Sequence, residues 1–157
     1  MATKIANKRS TKSKALIDIK LINSARKALA LSYSPYSHFA VGAAVLKTNG
    51  KIYLGANIEN ASYPLCLCAE RAAIAHAHSS APKSKIIAIA VVAKSDTIKI
   101  TKAVSPCGAC RQVISEFEEK QKSAIRIVLS NIENTDRISF SSIKELLPHS
   151  FNSKYLI

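Results

Sequence analysis

Five residues of the sequence could carry out chemistry together, because they lie at the beginnings of two predicted helices. Cys68, Glu70 and Arg71 belong to the stretch PLCLCAERAA, and Cys107 and Cys110 belong to SPCGACRQV. A Cys-x-x-Cys spacing lets two sulfurs from one helical turn converge on a single ion, and zinc accepts thiolate ligands at about 2.3 Å. The same spacing also occurs in redox dithiols, which remain an alternative for the second pair.

A metal site accounts for the neighbouring Cys-Ala-Glu, which a dithiol alone does not explain. Helix N-termini have unpaired N–H groups and the positive end of the helix dipole, so they stabilise thiolates. Three thiolates, from Cys68, Cys107 and Cys110, would hold zinc and leave its fourth position for water, as in catalytic sites. Glu70 could then move protons, and Arg71 could balance the negative charge of the thiolates.

Three other potential metal ligands, Cys66, His76 and His78, are predicted not to bind the metal. Cys66 is predicted to be a small buried residue, since a fourth cysteine ligand would close the metal to water. His76 and His78 lie two to three helical turns beyond Cys68, roughly 12 to 15 Å along the axis, and are predicted to be surface residues. For Glu70 and Arg71, the alternative is an ordinary exposed charge pair.

Length and composition predict one compact domain. The chain has 157 residues, of which 48% are hydrophobic. We see neither a secretory signal nor an apolar run of roughly 20 residues, and therefore expect a cytoplasmic protein without a membrane partner. Residues 1–14 are predicted to be a flexible basic tail, and residues 15–157 the catalytic domain.

The net charge of +13 raises the possibility of a nucleic-acid partner. Part of this charge lies in residues 1–14, where neither aromatic residues nor glycines are interleaved with the lysines as base stacking would require. We therefore expect no nucleic-acid partner.

Helix and strand patterns alternate along the chain. An amphipathic helix is predicted from about 15 to 31, followed by a hairpin that turns at Asn49-Gly50. Further along we predict a helix ending near Ser80, a buried strand over 86–93, a helix starting at Cys107 and a buried strand in IRIVLS. A short helix N-capped by Ser141 or Ser142 follows. This order predicts a three-layer α/β fold with a mixed sheet.

Four linked motifs resemble the homotetrameric cytidine deaminases. They are SPYSHFAVGAAV, GANIENASYPLCLCAERAAI, SPCGACRQV and LLPHSF, and the resemblance runs from about Leu16 to Phe151. It implies a three-layer α/β/α fold around a mixed, mainly five-stranded sheet. It also implies zinc-dependent hydrolytic deamination of cytidine and 2'-deoxycytidine to uridine and 2'-deoxyuridine plus ammonia, in pyrimidine salvage.

The resemblance also assigns roles at the metal. Cys68, Cys107 and Cys110 match the family's ligands to one Zn²⁺ per subunit, and Glu70 matches its proton shuttle. Arg71 matches an arginine that contacts the zinc-bound sulfurs. A zinc deaminase variant with three cysteine ligands and a glutamate that is not a ligand is a known arrangement of this chemistry.

A second set of residues matches the family's substrate-binding positions. They are Phe39, Asn57, Glu59, Tyr63, Ala69, Ser105 and Phe151. The resemblance places Asn57 and Glu59 at the ribose hydroxyls and Phe39 against the pyrimidine. Tyr63 and Phe151 match residues that reach a neighbouring subunit's site, which implies a homotetramer with shared sites.

Chemistry gives separate support to part of this set. An Asn-x-Glu at a strand end points an amide and a carboxylate to the same side, where they could bind a sugar's hydroxyls. The carbonyl of Ser105 could accept a hydrogen bond from the amine of the base. Loop capping is the alternative for Asn57 and Glu59, and a place in the core is the alternative for Phe39.

Three other functions remain open on the sequence alone. The basic charge could recruit a polynucleotide to a deaminase site, although the chain lacks the His-x-Glu form of such enzymes. A nucleoside antibiotic could be the substrate, although Asn57 and Glu59 suit an unmodified ribose. The third alternative is a zinc-stabilised binding module without enzymatic activity.

Overall fold

A five-stranded mixed sheet forms the centre of the fold. A computed structural model describes the backbone of residues 2–156 and the side chains of residues 13–156. The strands are β1 (Phe39–Lys47), β2 (Ile52–Ala56), β3 (Ile86–Ser95), β4 (Arg126–Ser130) and β5 (Arg137–Phe140). Their order is β2-β1-β3-β4-β5, in which only β3 and β4 are parallel.

The helices cover both faces of this sheet. Helix α1 (Ala2–Ala28) packs on one face, where Leu21, Ile22 and Ala25 join a buried cluster with residues of β1, β3 and β4. Helices α2 (Ala69–Ser80) and α3 (Gly108–Gln121) pack on the other face through a second cluster that includes Ala73 and Ile114. The predicted three-layer α/β/α architecture is confirmed.

Helix α1 differs from its predicted bounds. Its backbone is helical from Ala2, well before the expected start near residue 15, and it ends at Ala28 in a 3-10 turn over Leu29–Leu31. Residues 2–14 contain no glycine or proline to interrupt a helix, and six of the thirteen are alanine or lysine, which favour helices. The tail's predicted flexibility and solvated character stay predictions, since most of its side chains lie outside the described residues.

Two glycines allow the helices to approach the sheet closely. A Cβ atom on Gly42 would lie 2.1 Å from the carbonyl oxygen of Ala25 in α1. A Cβ atom on Gly55 would lie 2.2 Å from the backbone nitrogen of Ala73 in α2. Side chains at these positions would push the backbones of both helices outwards, so the two glycines set the spacing of the layers.

A buried lysine holds the C-terminal end of α2. Lys47, at the end of β1, is 1% exposed, and its Nζ donates to the carbonyl oxygens of Ala77 (3.0 Å) and Ala81 (2.6 Å). Burial lowers the pKa of Lys47, while the ammonium group meets the negative end of the helix dipole. The lysine therefore fixes α2 at the end opposite its first turn.

The remaining predicted elements also appear. The β1–β2 hairpin turns at Gly50, whose φ is 78°. The predicted short helix near the C-terminus is a 3-10 turn over Ile143–Glu145, where Ser142 caps the turn by accepting from the backbone N–H of Lys144. Strand β5 is a further, mostly exposed element that the residue pattern did not predict. Among the described residues, no helix combines the length and apolar character that crossing a membrane requires.

Candidate metal and nucleoside site

Three cysteine sulfurs converge where the first turns of α2 and α3 meet. Cys68 is the N-cap residue of α2 and Cys107 that of α3, while Cys110 lies in the first turn of α3. Their Sγ atoms all lie within 4.8 Å of one another, and those of Cys68 and Cys107 are 3.8 Å apart. Tetrahedral zinc with Zn–S bonds of about 2.3 Å requires sulfurs roughly 3.8 Å apart, so the cluster fits one zinc ion.

The electrostatics of the cluster favour a bound cation. Burial and the neighbouring Cys107 raise the pKa of Cys68. Burial and the Glu70 carboxylate raise the pKa of Cys110. Burial also acts on Cys107, but hydrogen bonds from the backbone N–H and the thiol of Cys110 lower its pKa overall. Three thiolates at this spacing repel one another, and a divalent cation removes that repulsion.

Glu70 lies beside the sulfurs in the first turn of α2. Its side chain is 5% exposed, and burial raises the pKa of its carboxyl group, partly offset by hydrogen bonds from its own backbone N–H and from the Cys110 thiol. A carboxyl group with a raised pKa exchanges protons more readily near neutral pH. Its predicted role as the proton shuttle stays a prediction that this placement supports.

Arg71 contacts the same cluster at Cys68. Its Nη2 donates to the carbonyl oxygen of Cys66 at 2.9 Å and lies 3.8 Å from the Sγ of Cys68. The hydrogen bond to Cys68 raises the pKa of the guanidinium further. The guanidinium therefore lies within reach of one of the three sulfurs, and its role in balancing the thiolate charge stays a prediction that this contact supports.

Asn57 follows β2, and its side-chain amide is almost fully used within the chain. Its Oδ1 accepts from the Ser32 hydroxyl at 2.6 Å and from the Val41 N–H at 2.7 Å, and its Nδ2 donates to the carbonyl oxygen of Phe39 at 2.8 Å. An amide has two acceptor positions and two N–H donors. One N–H donor is therefore left for a ligand.

Glu59 is held by the turn that precedes β1. Its Oε2 accepts from the backbone N–H groups of Tyr36 (2.9 Å) and Ser37 (3.3 Å), and its Oε1 accepts from the Ser37 hydroxyl. The hydroxyl contact, followed by the backbone contacts, lowers the pKa of Glu59 and keeps the carboxylate ionised. A carboxylate offers about four acceptor positions, so roughly one remains free.

A short antiparallel bridge connects these two groups of residues. Ile58, between Asn57 and Glu59, exchanges two backbone hydrogen bonds of 2.9 Å with Leu67, the residue before Cys68. The bridge fixes the Asn57–Glu59 segment against the entry to α2. The amide and the carboxylate are thereby joined directly to the segment that carries the first sulfur.

The other predicted substrate residues differ in exposure. Ala69 is buried at the start of α2, Phe39 is half-buried, and Ser105 is exposed two residues before Cys107. Tyr63 is 71% exposed and makes an edge contact with Tyr36, with ring centroids 6.2 Å apart.

Phe151 is also exposed, at 58%, and stacks on Tyr155. The described contacts do not bring Phe151 to the sulfurs of its own chain. The substrate roles assigned by resemblance stay predictions.

Cys66 lies outside the sulfur cluster. Its thiol accepts from the backbone N–H of Asn60 at 3.3 Å and lines an open pocket of about 310 Å³ with Tyr36, Ser37, Glu59 and Tyr63. The residue is half-buried, so the expectation of a buried side chain is wrong, because the loop that carries it lies at the edge of this pocket.

The two histidines of α2 lie apart from the sulfurs. His76 is exposed, with its Nδ1 3.0 Å from the carbonyl oxygen of Leu54. His78 is half-buried and packs against Phe117. His76 is thus a surface residue as predicted, whereas His78 is partly covered.

Four supporting residues were not identified from the sequence. Ser32 and Ser37 orient Asn57 and Glu59 through their hydroxyl groups. The supporting roles of the two serines could have been predicted from the segment LSYSPYSHF, since hydroxyl groups near a proline turn commonly form hydrogen bonds with neighbouring groups.

The other two supporting residues lie in α3. Arg111 donates to the carbonyl oxygens of Pro106 (2.8 Å) and Leu146 (2.9 Å), and Gln112 donates to that of Phe151 (2.7 Å). These two residues of α3 attach the C-terminal segment to the helix that carries two sulfurs.

Comparison with known proteins identifies the family of the chain. Residues 17–125 match the family model of the cytidine and deoxycytidylate deaminase zinc-binding region. The chain belongs to this family.

Among curated relatives of this deaminase, the cytidine deaminase of Sporosarcina psychrophila is 42% identical over 137 residues, covering 87% of this chain and 93% of the relative. The probable cytidine deaminase of Dictyostelium discoideum is 39% identical over 140 residues, with coverages of 88% and 86%.

Solved structures agree with this assignment. The cytidine deaminase of Burkholderia pseudomallei is 40% identical and superimposes with a TM-score of 0.72, covering 84% of this chain and 97% of the other. The Mycobacterium tuberculosis enzyme is 36% identical with a TM-score of 0.65 and coverages of 85% and 95%. The cytidine deaminase-like fold and the zinc-binding character of the domain are thus confirmed.

Proposed function

We propose that this deaminase hydrolyses cytidine and 2'-deoxycytidine to uridine and 2'-deoxyuridine with release of ammonia, as a step of pyrimidine salvage. The observation that carries this proposal is the meeting of three sulfurs with the buried carboxyl group of Glu70 at two helix N-termini. Family membership supports the reaction class, and the donor set supports zinc as the cofactor.

The residues divide the work of the reaction. Cys68, Cys107 and Cys110 would hold zinc, which when bound supplies a Lewis acid that activates water for hydrolysis. Glu70 takes one proton from the attacking water and delivers it to N3 of the pyrimidine, then takes the second proton from the new hydroxyl group at C4 and delivers it to the leaving amine. At C4 the bond to the amino nitrogen breaks and a carbonyl forms. Arg71 and the helix N-termini balance the negative charge of the sulfurs.

The free hydrogen-bonding capacity of the turn supports a nucleoside substrate. Asn57 retains one donor and Glu59 roughly one acceptor, while a sugar hydroxyl both accepts and donates. This pair suits a single hydroxyl held by both side chains. The half-buried ring of Phe39, whose carbonyl is bonded to Asn57, would face the base.

An absorbance assay tests the proposed reaction. Purified protein incubated with cytidine is expected to lower the absorbance of cytidine and release one ammonia per uridine formed. Removing zinc with a chelator should stop the reaction, and adding zinc should restore it. Absence of turnover by the zinc-loaded protein on both nucleosides would contradict the proposal. A cytosine-containing oligonucleotide should react far more slowly than cytidine, since we propose free nucleosides rather than nucleic acids as substrates.

We also propose that the enzyme is a homotetramer in the cytoplasm, with Tyr63 and Phe151 reaching a neighbouring subunit's site. Each ring contacts a second exposed ring, Tyr63 that of Tyr36 and Phe151 that of Tyr155, and contiguous exposed apolar patches commonly mark contact surfaces, which supports an interface. Four free cysteines support a reducing compartment. Light scattering coupled to gel filtration should give a mass close to four chains, and a monomer mass would refute the assembly.

A further inference from the structure

The hydroxyl group of Ser37 connects two residues of the nucleoside site. It donates to Oε1 of Glu59 and accepts from the backbone N–H of Phe39 at 3.1 Å. In the proposed function Glu59 binds the sugar and Phe39 faces the base. One exposed hydroxyl therefore couples the two halves of the predicted nucleoside pocket.

The orientation of Glu59 depends on a single turn. Its described hydrogen-bond donors are the N–H groups of Tyr36 and Ser37, which reach Oε2, and the Ser37 hydroxyl, which reaches Oε1. The two N–H groups fix one oxygen and leave the carboxylate free to rotate about it. The hydroxyl removes this freedom, because it holds the second oxygen.

The backbone of the turn is shaped to bring this hydroxyl to Phe39. His38, between Ser37 and Phe39, has a φ of 54°, which few residues other than glycine adopt. Hydrogen bonds of 3.1 Å hold it on both sides, from its N–H to the Ser34 carbonyl and from the Asp96 N–H to its own carbonyl. The left-handed residue folds Ser37 back over the start of β1.

We propose that Ser37 is a positioning residue for sugar recognition, which sets the Glu59 carboxylate against the base-facing start of β1. This inference rests on the proposed function, since it assigns the sugar to Glu59. Ser37 need not touch the nucleoside. It acts by keeping the free acceptor position of Glu59 directed at one sugar hydroxyl.

The test compares cytidine with 2',3'-dideoxycytidine, which lacks the hydroxyls that Glu59 could bind. In Ser37→Ala, kcat/KM for cytidine should fall about tenfold, mostly through KM, since hydrogen bonds to charged groups have effects of this size. The value for 2',3'-dideoxycytidine should change little. The preference for cytidine over the dideoxy analogue should therefore fall about tenfold, and Ser37→Thr should restore it.

Ser84→Ala is the matched control. The Ser84 hydroxyl likewise makes two contacts at a turn, with the Thr48 hydroxyl and the Asn49 N–H, but at the opposite end of β1. In Ser84→Ala, the ratio of kcat/KM for cytidine to kcat/KM for 2',3'-dideoxycytidine should equal that of the parent protein. An equal loss on both substrates in Ser37→Ala, or an unchanged ratio, would overturn the positioning role. Inactivity of the parent on cytidine would instead refute the proposed function itself.

Discussion

The sulfur cluster and the turn of residues 34–39 belong to the same site but are built differently. Cys110 is fully buried and Glu70 nearly so, and both lie in the first turns of helices that pack on one face of the sheet. Ser37 and Tyr36 are exposed, and the turn that carries them is held by hydrogen bonds to Glu59 and by the Ser34 carbonyl. One region is fixed by packing, whereas the other depends on a few polar contacts.

This difference matches a difference in role, since the sulfur cluster would carry out the reaction and the turn would bind the substrate. Packed helix starts hold reacting groups to within a fraction of an ångström, which proton transfer requires. An exposed turn can change its conformation to fit a ligand or a neighbouring subunit at a lower cost in free energy. Changes in the cluster should therefore remove metal or turnover, and changes around the turn should mainly weaken substrate binding.

The largest effect is expected from Cys107→Ala. Loss of one sulfur leaves two ligands, so zinc content should fall from about one ion per chain to nearly none, with loss of activity. The melting temperature should fall by about 10 °C, because metal binding contributes to folding. Elemental analysis and calorimetry measure both. Cys66→Ala, outside the cluster, should retain zinc, and normal zinc content in Cys107→Ala would remove that residue from the ligand set.

Glu70→Gln should separate the chemical step from metal binding. Glutamine keeps the shape but cannot transfer the proton, so kcat should fall about 10⁴-fold while zinc content stays unchanged. Steady-state kinetics with cytidine and elemental analysis provide the measurements. Glu116→Gln, an exposed position of α3, serves as the control. Equal activity in Glu70→Gln would exclude the shuttle role.

Gly55→Ala tests how far the cluster depends on packing. The added Cβ would lie 2.2 Å from the Ala73 nitrogen and 2.6 Å from the Ala69 oxygen, both backbone atoms. The free energy of unfolding should fall by about 3 kcal/mol in urea titrations, since overpacking a core forces backbone shifts. Gly108→Ala adds a Cβ with no neighbour within 4 Å and should leave stability nearly unchanged. If Gly55→Ala and Gly108→Ala were equally stable, α2 would be able to move away from the added Cβ atom without loss of stability.

The smallest effects are expected from Tyr63→Ala and Phe151→Ala. Both side chains are exposed within one chain, so stability should change little, whereas KM for cytidine should rise about tenfold if they complete a neighbouring subunit's site. Ile138→Ala, on exposed strand β5, provides the control. Unchanged KM in both variants would confine the site to a single chain.

Much of the fold could be predicted from local patterns. The strands β3 and β4 are short runs of branched apolar residues, and Asn49-Gly50 marks the hairpin, because these signals act over a few neighbouring residues. Strand β5 and the full length of α1 were missed. The RISF segment of β5 alternates polar and apolar residues over only four positions, most of them exposed, which is too short a run to identify a strand. Residues 2–14 contain Ile5 as their only large apolar residue, so they give no amphipathic helical pattern.

The candidate site could also be predicted only in part, because sequence signals act over a few neighbouring residues. The pairs Cys107–Cys110 and Cys68–Glu70 share helical turns, and their proximity follows from 3.6-residue geometry. The Ser37–Glu59 contact joins residues 22 positions apart through a turn with a left-handed histidine. Side-chain hydrogen bonds of this kind have no periodic signature.

The sequence by itself determined which groups are available for chemistry and which of them share a turn, since spacing along a helix or strand is fixed by backbone geometry. Only the tertiary structure decided that Cys68 meets Cys107, 39 residues away, at 3.8 Å. That distance depends on two helices packing on the same face of one sheet, with Gly55 allowing α2 to approach closely. Such packing is a property of the whole domain, because each helix finds its place only against the buried side chains of the others.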